Sequence, residues 1–92
     1  MNRIDLLNHA IDKVTNTEEY GTPEDNFQNI GDLWTTYLHC KFGFSAPEIL
    51  PVDVALMMDL VKTARLIKTP SHLDSWKDKG GYAACGAEVS NA

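Results

Sequence analysis

Ninety-two residues with 43% hydrophobic content bound one small domain, near the lower size at which a chain folds without disulfide or metal staples. A formal net charge of −5 and a pI near 4.9 argue against a nucleic-acid backbone as partner, which calls for a basic surface. No stretch approaches the roughly 20 apolar residues of a membrane span, MNRIDLLNHAIDKV contains no hydrophobic signal region, and Cys40 and Cys85 are too few for a disulfide framework or thiolate zinc site, so a reduced cytoplasmic protein is expected.

Residues 2–15 read as a first helix with Ile4, Leu7, Ala10, Ile11 and Val14 on one face. The segment from Thr15 to Gly21 breaks it. Thr22 caps a second helix, with Pro23 at its first position and Glu24 and Asp25 in its positive first turn. That helix carries Phe27, Ile30, Leu33, Trp34, Tyr37 and Leu38 at core spacing and ends by Lys41. Gly43 to Pro51 is a loop. Pro51 then opens a third helix on which Val54, Met57, Met58, Val61 and Ala64 recur, and Thr69-Pro70 ends it. Ser71 restarts the chain as an N-cap with Asp74 in an S-x-x-D capping box, and Leu73, Trp76, Gly80, Ala83, Ala84 and Ala87 make the apolar face of the fourth helix. No β-hairpin dipeptide joins alternating apolar runs. The prediction is an all-α, compact bundle of about four helices, one domain over residues 1–92 with its core at about 3–89, ending in an antiparallel helix hairpin. So small a bundle has little interior, so Met57, Met58 and the two tryptophans suggest a homo-oligomer, most simply a dimer.

The hairpin concentrates the charge. A turn centred near Pro70 sets Arg65 opposite Asp74 and Ser75, and Lys62 opposite Asp78. Asp59, Lys62 and Arg65 share a strip of the third helix, and Asp74 and Asp78 a strip of the fourth. Two readings stay open. The pairs are inter-helix salt bridges, each contributing ~0–1 kcal/mol if exposed, or they line a charged pocket. In a pocket, Lys62 and Arg65 would hold phosphate, Arg in bidentate fashion. Asp59, Asp74 and Asp78 would hold Mg²⁺, which prefers a few carboxylates plus water and substrate phosphate; Glu18, Glu19, Glu24 and Asp25 are further candidates. Tyr20, Asn26 and Tyr82 could stack on or hydrogen-bond a base, and His72 opens the last helix beside Asp74. No G-x-S-x-G elbow, Gly-rich phosphate loop or H-x-x-x-H pair is present; Gly80-Gly81 inside a helix reads as a site of close helix packing.

The runs YGTPEDNFQNIGDLWTTYL, DVALMMDLVKTARL and HLDSWKDKGGYAACGAEV, about Tyr20 to Val89, resemble a small uncharacterised family encoded by phages and prophages. More remotely, the layout is similar to the all-α nucleoside triphosphate pyrophosphohydrolases of the MazG type, which are usually oligomeric and hold Mg²⁺ with paired E-x-x-E and E-x-x-D motifs. Here neither motif is complete. The resemblance implies a nucleotide-handling protein of an infected or lysogenic bacterial cytoplasm, foremost a Mg²⁺-dependent pyrophosphohydrolase. A non-catalytic oligomeric sponge for a nucleotide or cyclic nucleotide signal of host defence is the alternative, and the −5 charge supports a further one, an acidic protein-interaction inhibitor of a host enzyme.

Overall fold

Capping chemistry divides the chain as expected. In the computed structural model, which describes residues 1–15 and 21–92, the order is α1 (Arg3–Thr15), α2 (Pro23–Phe42), α3 (Pro51–Lys68) and α4 (Leu73–Val89), with no strand among the described residues. Thr22 Oγ1 accepts the Asp25 N–H, Pro23 follows it, and Gly43 closes α2 at φ 94°, a conformation that suits glycine. The Leu50 N–H donates to Asp53 Oδ2 at the start of α3. The fourth helix is capped differently from expectation. His72, rather than Ser71, is its N-cap: Nδ1 accepts the Ser75 N–H and lies 2.7 Å from Ser75 Oγ. Ser75 is fully buried there, and Asp74 turns to Lys13 instead of back to the cap.

The all-α bundle and its antiparallel hairpin are present. Ala55 meets Gly86, Asp59 meets Lys79 and Lys62 meets Asp78, so α3 and α4 run in opposite directions. α3 packs on α2 and α4, α1 packs on α4, and α2 touches α4 only slightly, giving the row α2–α3–α4–α1. Phe27, Val54 and Ala55 form the buried centre, with Trp34, Met58, Tyr82 and Cys85 half-buried around it.

Several residues read as core lie outside it. On α1 only Ala10 is buried, while Ile4, Leu7 and Ile11 are exposed, because α1 has α4 as its sole helical neighbour among the described contacts. Leu33 and Tyr37 on α2, and Met57, Val61 and Ala64 on α3, face solvent. The inner side of α4 is Ser75, Gly81, Tyr82, Cys85 and Val89, not the expected alanines at 83, 84 and 87. Steric fit explains this: a Cβ on Gly80 would lie 2.9 Å from Ala10 Cβ, and one on Gly81 would lie 3.2 Å from Lys13 Cβ. The glycine pair is therefore the notch that seats α1. No helix among the described residues is long and apolar enough to cross a membrane.

Candidate functional site

The hairpin register carries Lys62 inward, one turn from Met58 and one from Leu66, until its ammonium meets α4. Lys62 Nζ lies 3.0 Å from Asp78 Oδ2. The glycine notch brings Lys13 of α1 to the same carboxylate, 3.1 Å from Asp78 Oδ1, and to Asp74 Oδ1 at 2.7 Å. Asp78 thus offers one oxygen to each of two ammonium groups from different helices. The Lys62 and Asp78 side chains are only 13% and 18% exposed, so this charge cluster is shielded more than an ordinary surface pair.

Beside the cluster is a cavity of about 520 Å³. Lys13 and Val14 of α1, Asn26, Phe27 and Ile30 of α2, Lys62 of α3, and Asp78, Gly81, Tyr82 and Cys85 of α4 line it, with Gly21 and Pro23 at the start of α2. One side is cationic and anionic at once; the other is aromatic and aliphatic, with the Phe27 and Tyr82 rings 6.3 Å apart. The Asn26 amide adds a donor and an acceptor on that wall. An apolar hollow with few convergent polar groups is the usual form of a small-molecule site, for which about 300–1,000 Å³ is typical.

Hydrogen bonds to Asp74 and then Asp78 raise the Lys13 pKa above its ordinary 10.5, and the Lys13 hydrogen bond lowers Asp74 below 3.8. Burial, with Glu88 and Glu24 nearby, pushes the Cys85 thiol upward. Cys85 is accordingly a poor nucleophile at neutral pH.

Of the residues singled out from sequence, Asn26, Lys62, Asp78 and Tyr82 meet at this cavity. Asp74 joins through Lys13 without lining it. Asp59 lies on the other flank of the hairpin, where its carboxylate takes Lys79 Nζ at 3.0 Å and Lys79 also reaches Thr63. Arg65 is exposed and lines no wall of the cavity, and His72 is occupied in capping α4. Tyr20, with Glu18 and Glu19, lies outside the described residues. The three aspartates expected to hold Mg²⁺ do not converge: each carboxylate is engaged by lysine, and no group of three metal-binding side chains forms among the described residues.

Sequence reading missed Lys13, Lys79 and Cys85. For Lys13 a signal existed. Ala10 and Lys13 are one turn apart, and the Gly80-Gly81 notch marks where a second helix must approach closely.

Residues 5–90 match the family profile of a domain of unknown function, DUF6378, and the chain belongs to that family. It is similar to the Gene 55 protein of Mycobacterium phage D29, 41% identical over 68 residues, covering 74% of this chain and 40% of the relative. The Gene 55 protein of Mycobacterium phage L5 is 39% identical over 66 residues, with 72% of this chain and 38% of that protein covered. The chain thus spans about two fifths of the length of these curated relatives. No solved structure matches it significantly. A small phage family of unknown function is therefore the established context.

Proposed function

We propose that this DUF6378 domain binds a nucleotide in the cavity that α1, α2, α3 and α4 line, and holds it rather than cleaving it. The observation that supports this is the convergence of Lys13 and Lys62 on a single half-buried carboxylate at the cavity wall. Asp78 occupies the position of an anion between two cations, so an incoming phosphate oxyanion meets the same pair of donors by competing with it. Phe27, Ile30 and the Tyr82 ring offer an apolar wall for a base, and Asn26 a pair of amide hydrogen-bonding groups. A phage protein of this kind would deplete a nucleotide or cyclic nucleotide signal in its host.

Binding is favoured over Mg²⁺-dependent pyrophosphohydrolysis, the chemistry implied by the remote MazG resemblance, because Asp59 is held by Lys79 away from Asp78. The test is incubation of the protein with canonical and cyclic nucleotides, with and without Mg²⁺, followed by chromatography of the solution and of ligand released by heat. Intact ligand removed and then recovered supports sequestration. Nucleoside monophosphate and pyrophosphate would establish the hydrolase instead, and loss of neither ligand nor phosphate across the panel would refute nucleotide handling.

A further inference from the structure

We propose that the outward stripe of α3 is the surface through which two copies of this chain pair. α3 is apolar around most of its girth. Val54, Ala55 and Leu66 are buried on its inner side, yet Leu56, Leu60 and Ile67 on the opposite side are 62%, 63% and 79% exposed. One chain covers only the inner side of this helix, and an exposed apolar stripe of this kind marks a contact surface. Met57, Leu60, Ala64 and Ile67 follow a 3-4-3 spacing, the seam of two packed helices. Asp59, Lys62 and Arg65 lie off that seam, and Asp53, one turn before Met57 on the same line, accepts the Leu50 N–H with its carboxylate, so no charge stands between Met57 and Ile67.

The surface of the chain points the same way. It amounts to 6469 Å², whereas a folded monomer of 10.2 kDa is expected to expose roughly 5,300 Å². The radius of gyration is 14.6 Å, against about 12 Å for a compact chain of this length. The excess of roughly 1,200 Å², to which the exposed Ile4, Leu7 and Ile11 of α1 also contribute, exceeds the ~800 Å² that each partner contributes to a standard interface. A second copy is the fitting occupant because an isologous contact sets the stripe against itself, equal in length and without charge from Met57 to Ile67 on both sides. A partner chosen by charge would find nothing to pair with between Met57 and Ile67.

Sedimentation equilibrium at micromolar protein should give twice the 10.2 kDa chain mass. Leu60→Glu should weaken self-association at least about a hundredfold, since each charge would be desolvated against its symmetry mate. A chain that depends on pairing could unfold when separated, so a second measurement decides the face. Under mild oxidation in a Cys40→Ser background, Leu60→Cys should give an intermolecular disulfide dimer, whereas Leu33→Cys, exposed on α2, should not. A wild-type monomer at high micromolar concentration, a dimer untouched by Leu60→Glu, or cross-linking through position 33 and not 60 would each overturn the proposal; the first would leave the stripe to a different protein.

Discussion

Neutralising Asp78 should have two opposite effects. In Asp78→Asn the ammonium groups of Lys13 and Lys62, now 3.1 and 3.0 Å from that side chain, lose their shared counter-charge. At an effective dielectric of about 20 the gross attraction is several kcal/mol, and desolvation of the half-buried pair cancels most of it. A net loss of about 1–3 kcal/mol follows, and at roughly 4–8 °C per kcal/mol for a domain this size the melting temperature should fall by about 5–20 °C. Anion binding should change the other way. With the resident carboxylate gone, Lys62 loses its counter-charge and Lys13 keeps only Asp74, so a nucleoside monophosphate in Mg²⁺-free buffer should bind about tenfold tighter, equivalent to ~1.4 kcal/mol. Circular dichroism melts with and without inorganic phosphate read both effects, because phosphate should restore more stability to the variant than to wild type. A variant that melts with wild type, or that binds nucleotide more weakly, would refute the placement of Asp78 as an internal anion.

The glycine notch gives the next expectation: Gly80→Val, whose Cβ would stand 2.9 Å from Ala10 Cβ, should cost about 1–3 kcal/mol and speed tryptic cleavage after Lys13 in limited proteolysis. The pH dependence has two limbs. Asp74, lowered below 3.8, adds stability that is present above that value and fades as pH falls through its folded pKa; Lys13, raised above 10.5, adds stability that is present below that value and is lost as pH rises past its folded pKa. Melting temperatures of Lys13→Met against pH should show both limbs flattened, with only a small change at neutral pH because the Asp74 side chain is 59% exposed. Thiol labelling should modify exposed Cys40 before half-buried Cys85; a bound nucleotide should slow Cys85 alone, and equal protection of both would place the ligand elsewhere.

Element boundaries were legible because they rest on local chemistry. Thr22-Pro23, Pro51 and Thr69-Pro70 act on their own backbone, and the helices begin and end around them. Ser71 misled because serine is the commoner cap, and the preference of the imidazole for Ser75 depends on burial that spacing does not encode. The faces were harder. α3 has apolar residues in nearly every direction, so Met57 and Val61 looked as central as Val54. The inner side of α4 contains serine, aspartate, glycine and tyrosine, and a search for apolar periodicity passes over such a face. Of the site, Lys62 and Asp78 followed from hairpin register alone, since a four-residue link leaves little choice of pairing. Lys13 comes from another helix, 65 positions from Asp78 in sequence, and only the close approach at Gly81 connects them.

The two proposals separate on one helix, which makes each a control for the other. Lys62 and Leu60 are two positions apart on α3, about 200° around its axis, so one reaches the cavity while the other stands on the outer stripe. The cavity walls come from α1, α2, α3 and α4 of a single chain, and none of the outer-stripe residues lines it. Leu60→Glu should therefore lower the sedimenting mass while leaving nucleotide affinity within about threefold, provided the separated chain keeps its helical signal. Lys62→Met should do the reverse: weaker binding, by roughly tenfold or more for a lost charge-assisted hydrogen bond, at unchanged mass. If Leu60→Glu abolished binding in a chain that stayed helical, the cavity would need its neighbour to be complete, and the single-chain site drawn from Lys13, Lys62 and Asp78 would have to be redrawn across the interface.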